Sequence, residues 1–142
     1  MKLPFEIHQS TTRTLFRWVL WLIAIHSICF GLSLIILPCN ILQYFGFDIS
    51  QKFFATQGGV FHLIISFAYI RAASKLDESG DLIILAVITK FAATIFLISY
   101  YFFGTSILII LLSGFGDFLM GLAVLLLYLL LFKLPVKKTI PA

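Results

Sequence analysis

Four ionisable side chains, His26, His62, Lys90 and Asp117, each fall inside a long apolar run of the 142-residue chain. Charged groups in hydrocarbon cost on the order of several kcal/mol unless paired or hydrated, so their presence there points to a partner or a function. Lys90 and Asp117 are expected to form an ion pair. Such a pair could simply hold two segments together; it could also be a charged floor for a ligand headgroup, or the aspartate could carry a coupled proton. Facing histidines in a membrane four-helix bundle can ligate haem, and His26, His62 and Asp117 together make a conceivable metal donor set. Gly58 and Gly59 would give a macrocycle room, although a lysine and an aspartate in the same layer suit a haem pocket poorly. Interhelical hydrogen bonding is the plainer expectation for both histidines. Gln57 is a fifth polar candidate.

Four helices must position these groups. About 20 apolar residues span ~30 Å of hydrocarbon, and such runs occur at 15–37, 53–73, 82–103 and 107–132. Pro38 ends the first, Asp77-Glu78-Ser79-Gly80-Asp81 separates the second from the third, and Gly104-Thr105-Ser106 makes a tight hairpin between the last two. The first run has no small-residue cleavage pattern and reads as a retained span rather than a signal peptide. The expected architecture is all-α: one polytopic membrane domain over residues 1–142, folded as an antiparallel four-transmembrane-helix bundle.

At a rise of ~1.5 Å per residue, His26 lies about 16 Å and Lys90 about 12 Å from one boundary, with His62 and Asp117 about 14 and 15 Å from the other. All four therefore share the middle layer. Lys90 and Asp117 differ in depth by only about 4.5 Å when counted from the hairpin, which a lysine stem spans. Helical periodicity puts Trp18, Leu22, His26, Cys29 and Ser33 on one face of the first span, and Gly59, His62, Ser66 and Tyr69 on one face of the second. Ala86, Lys90, Thr94 and Tyr101 share a face of the third, and Ser106, Ser113, Asp117, Gly121 and Tyr128 a face of the fourth. These small, polar or aromatic faces are expected to point into the bundle.

Composition agrees: 61% hydrophobic and 11% charged residues, with a mean hydropathy of +1.10, exclude an ordinary soluble domain. The net charge of +4 would suit nucleic acid, but the basic residues sit at the ends of apolar runs, as membrane topology requires. Lys2, Arg13, Arg17, Arg71, Lys75, Lys133, Lys137 and Lys138 fall on one side, Lys52 alone on the other. The positive-inside rule then puts both termini in the cytoplasm of a multi-pass protein of the cell (inner) membrane, and no nucleic-acid partner is expected. The 38–52 segment is apolar for a loop, and reads as interfacial, with Tyr44, Phe45 and Phe47 among headgroups, Gly46 at a bend and Asp48 or Ser50 capping the second span. Cys29 and Cys39 are too far apart along a helix to pair, about 15 Å, and read as small apolar residues.

No P-loop, GxSxG, HExxH or dinucleotide fingerprint is present, and Gly114-Phe115-Gly116-Asp117 lies inside a span, where it reads as close helix packing. Gly46-Phe47 in the outer loop, the Phe53-Phe54-Ala55-Thr56-Gln57-Gly58-Gly59 opening of the second span, Lys90 in the third span and Gly116-Asp117 in the fourth together resemble the small four-span bacterial proteins grouped as DoxX-like. That resemblance implies a four-helix membrane bundle and, for some relatives, a subunit linked to quinone or thiol redox chemistry. The absence of a CxxC speaks against the thiol branch.

The expected function is that of a non-enzymatic or accessory membrane protein whose polar site, Lys90 and Asp117 with His26, His62 and Gln57, holds a small amphiphile such as a quinone or lipid. Alternatives are a proton-coupled transporter acting as a dimer, with Asp117 carrying the proton, and a haem-binding redox subunit. The bilayer, a small amphiphile, and a homodimer or larger membrane complex are the expected partners.

Overall fold

A computed structural model describes residues 4–47 and 51–133, and every element among them is helical. In order they are α1 (Pro4–Ile36), α2 (Cys39–Tyr44), α3 (Phe53–Ser74), a 3-10 turn (Leu76–Glu78), α4 (Gly80–Phe103) and α5 (Leu108–Tyr128), which runs into a π-type turn over Leu129–Lys133. Helices over Gln9–Ile36, Phe53–Ser74, Gly80–Phe103 and Leu108–Phe132 are long and apolar enough to cross a membrane. The chain is a small multi-pass membrane protein with an all-α four-helix fold.

The spans match the apolar runs to within a few residues at each end, except the first. There the helix begins well before Leu15 and carries Arg13 to an ion pair with Asp77, in the connection between α3 and α4. Glu78 in the same connection takes Lys75 at 3.3 Å and Arg71 at 4.0 Å. These exposed pairs are each worth less than about 1 kcal/mol, and of them Arg13–Asp77 is the one that links the α3–α4 turn to α1.

Packing is pairwise, α1 closest on α3 and α4 closest on α5, with lighter contact between the two pairs. A single apolar cluster joins all four at the Asp77 end, built from Phe16, Leu20, Ile23 and Ala24 of α1, Tyr69, Ala72 and Ala73 of α3, Leu76 of the 3-10 turn, Ile83 and Ala86 of α4, and Val124 and Leu127 of α5. Farther from that end most buried residues are small or polar, namely Ser27, Gly31, Gly59, Ser66, Lys90, Thr94, Gly114, Asp117 and Gly121, with Leu42 and Ile110 the apolar ones.

At the other end, α2 closes in a Schellman turn. Gly46 adopts a φ of +92°, its N–H donates to the Gln43 carbonyl at 2.8 Å, and the Phe47 N–H donates to that of Leu42 at 3.3 Å. Gly46 lies against Ile107 of the α4–α5 connection, so the bend expected there also brings the α2 segment to that hairpin. Tyr44 is 86% exposed, in keeping with a headgroup position. The second span starts from Lys52, which makes no side-chain capping bond; Asp48 and Ser50, the expected caps, lie outside the described residues. The hairpin expected at Gly104 is present: the N–H groups of Gly104 and Thr105 both donate to the Tyr100 carbonyl, at 2.8 and 2.9 Å.

One face is reversed from expectation. Trp18, Leu22, His26, Cys29 and Ser33 point away from the bundle, while Phe16, Leu20, Ile23, Ala24, Ser27 and Gly31 point into it. The reason is steric. α1 approaches α3 so closely at Gly31 that only the small side of α1 fits there, and that requirement outranks the shelter an imidazole would gain by turning inward.

Candidate functional site

Lys90 of α4 and Asp117 of α5 are 3% and 7% exposed, and the ammonium donates to Asp117 Oδ1 at 2.5 Å. Glycines make this geometry possible. A methyl group on Gly121 would stand 3.1 Å from Lys90 Cβ, and one on Gly114 would stand 3.1 Å from Ile98 Cγ1. Gly114 and Gly121, one helical turn to either side of Asp117, thus bring α5 against α4 while the aspartate remains between them. Lys90 roots at the level of Gly121, and its stem runs about one turn, ~6 Å, to reach Asp117, much as the depth count required.

The surroundings are polar on the α3 side. Thr89 Oγ1 donates to the Leu85 and Ala86 carbonyls at 2.9 and 3.1 Å, which leaves the Tyr69 hydroxyl as donor in its 3.0 Å contact with Thr89. The Tyr69 ring, 2% exposed, lies 6.0 Å from Lys90 Nζ, at the limit of a cation–π contact. Thr94 donates to the Lys90 carbonyl at 2.8 Å, and Ser66 to that of Leu63 at 2.6 Å.

Several polar atoms in this layer have no protein partner. His62 Nδ1 and Ser27 Oγ are buried without a hydrogen bond. Among the described residues no donor reaches Asp117 Oδ2, and Lys90 Nζ makes one bond of the three it could donate. Comparison with protein-family models, with curated proteins and with solved structures found no match. The site must therefore be read from its own chemistry.

Of the five residues expected to form the site, the fold brings together Lys90 and Asp117, with half-buried His62 at the margin. His26 is exposed, and Gln57 is exposed on α3 toward the Gly104 end, away from the pair. The arrangement does not suit haem. Phe30 stands between the histidines, stacked on His26 at 6.2 Å and edge-on to His62 at 4.9 Å. The room expected at Gly59 is filled, since a methyl group there would fall 2.6 Å from the Gly31 carbonyl oxygen and 2.7 Å from Ile35 Cγ1. Nor are His26, His62 and Asp117 gathered as a metal-holding group among the described residues.

Tyr69, Thr89 and Ser27 also belong to the polar layer; Tyr69 was expected on the inward face of the second span, whereas Thr89 and Ser27 were not singled out from sequence. Tyr69 stands seven residues beyond His62 on the same helical face and is buried, as that periodicity required. Ser27 carried no such signal, because its neighbour His26 drew attention to the opposite side of α1.

Proposed function

We propose that this is a non-enzymatic accessory protein of the cell (inner) membrane, with both termini in the cytoplasm, whose bundle binds a small amphiphile at Lys90 and Asp117. The observation that carries this reading is the under-satisfied charged pair in the hydrocarbon layer. Polar groups in lipid are stable only when bonded, so the free ammonium protons and Asp117 Oδ2 call for a polar occupant. A headgroup with acceptor oxygens, such as a quinone carbonyl or a lipid ester, matches the free protons of the Lys90 ammonium, and its apolar tail would lie along the exposed flanks of the bundle. The resemblance to small DoxX-like proteins, some of them linked to quinone chemistry, would favour a quinone over a lipid. Orientation rests on the arginines and lysines at the Asp77 end.

Native mass spectrometry of the chain released from mild detergent, after titration with a short-chain quinone or a phospholipid, tests the proposal. Lys90→Met combined with Asp117→Asn, which removes the donor without leaving an unpaired buried charge, is expected to weaken the adduct at least about tenfold, as loss of a charge-assisted contact worth ~1.5–3 kcal/mol would. Equal adducts in both proteins, or none in the parent, would contradict it.

A further inference from the structure

His26 is the outlier of the molecule. Its ring faces away from the bundle about 12 Å, or eight residues, beyond Trp18, which puts it in the middle of the hydrocarbon. Among the described residues nothing accepts from or donates to it, and its one ring contact is the stacked Phe30. The outward side chains of the other three spans at comparable depth are apolar, for example Ile64, Ile88, Ile95, Leu112 and Phe115. Only α1 shows an ionisable group to lipid there, and Cys29 and Ser33 on the same face continue its small, polar character.

From this we infer that the outer face of α1 is the contact surface for a second copy of this chain, packed through His26 about a two-fold axis along the membrane normal. Leu22, His26, Cys29, Ser33 and Ile36 follow one another at intervals of four, three, four and three, the spacing of a left-handed helix–helix seam, and all are exposed. His26 then stands at a central seam position. Two copies in the same membrane orientation run their α1 helices in parallel, so a two-fold contact sets each seam residue against its own counterpart.

Hydrogen-bonding complementarity is what selects a second copy over other occupants. A neutral imidazole carries one donor and one acceptor, so His26 can bond to His26 of an identical chain without any further group. A lipid tail offers it nothing. Cys29 and Ser33 are small enough to let the backbones approach; the Ser33 hydroxyl is already turned back to the Cys29 carbonyl at 2.8 Å, so it makes no polar demand of its own. The role resembles that of a single buried asparagine in a coiled coil, which fixes register and partner number. The inference does not depend on the amphiphile reading, since Lys90 and Asp117 lie on the other side of α1.

Cys29 supplies the probe. In a Cys39→Ser background, reconstituted at high lipid-to-protein ratio, oxidation with copper phenanthroline is expected to give a disulfide-linked dimer. Ile88→Cys in a chain lacking both native cysteines is expected to remain monomeric. His26→Leu, which removes a polar group from lipid and leaves the bundle interior untouched, is expected to weaken the dimer roughly 3- to 20-fold by single-molecule photobleaching, the range of one interhelical hydrogen bond. Monomers throughout, cross-linking at Cys29 no faster than at Ile88→Cys, or a His26→Leu chain that dimerises like the parent would each overturn the inference. So would a His26-dependent complex with a different protein.

Discussion

Between α4 and α5 the helices meet around a charged pair: Gly114 and Gly121 bring the backbones close, and Lys90 and Asp117 fill what remains. Between α1 and α3 they meet backbone on backbone, where methyl groups on Gly31 and Gly59 would fall 2.8 and 2.6 Å from the opposing carbonyl oxygens, and the polar atoms nearby, Ser27 Oγ and His62 Nδ1, are left without partners. The first pair binds charge and the second excludes side chains. Within one small bundle, glycine serves both ends, and the residue opposite decides which.

The largest effect is expected from breaking the charged pair on one side only. Asp117→Ala leaves a buried ammonium with no counterion and is expected to lower stability by about 3–5 kcal/mol, read as a shift in reversible unfolding in mixed micelles. A loss below about 1 kcal/mol would mean that water reaches Lys90 freely, and the contrast between the helix pairs would weaken.

Next comes Gly59→Ala, where one methyl group must displace the α1 backbone, at a cost of about 1–3 kcal/mol. Spin-label distances between α1 and α3 are expected to widen, while distances between α4 and α5 stay fixed. Widening in both pairs would show that the two halves are not separable.

The smallest and most diagnostic change is Ser27→Ala. An unpartnered buried hydroxyl is better absent, so thermal unfolding is expected to be unchanged or shifted upward, by no more than about 1 kcal/mol. A clear loss of stability would reveal a polar partner for Ser27 and make the α1–α3 pair a second half of the site.

Much of this was readable before the fold was known. The four spans follow from the length and breaks of the apolar runs, and the Lys90–Asp117 pair follows from counting out from the Gly104 hairpin, because short connections transmit register faithfully. Gly46 announced its bend through its backbone freedom. The rotation of α1 was not readable. Hydrocarbon surrounds the bundle, so polarity alone does not tell the inside of a membrane helix from the outside. Ala24, Ser27 and Gly31 were competing with the His26 stripe, and only the proximity of Gly59 on another span decides between them. The bond between Tyr69 and Thr89 was not readable for a related reason: it joins two helices, and although Tyr69 lay on the expected inward face, neither residue marks the other from within its own span.

The central claim is that the charged pair is kept for a ligand and not for stability, and the double variant Lys90→Met with Asp117→Leu separates the two most directly. Replacing a buried ion pair with apolar groups of similar size is neutral or stabilising by roughly 1–4 kcal/mol, so the variant should unfold at or above the parent's midpoint. Native mass spectrometry of that folded variant should show the amphiphile adduct gone. A stable double variant that retains the adduct, or one as unstable as Asp117→Ala, would contradict the account.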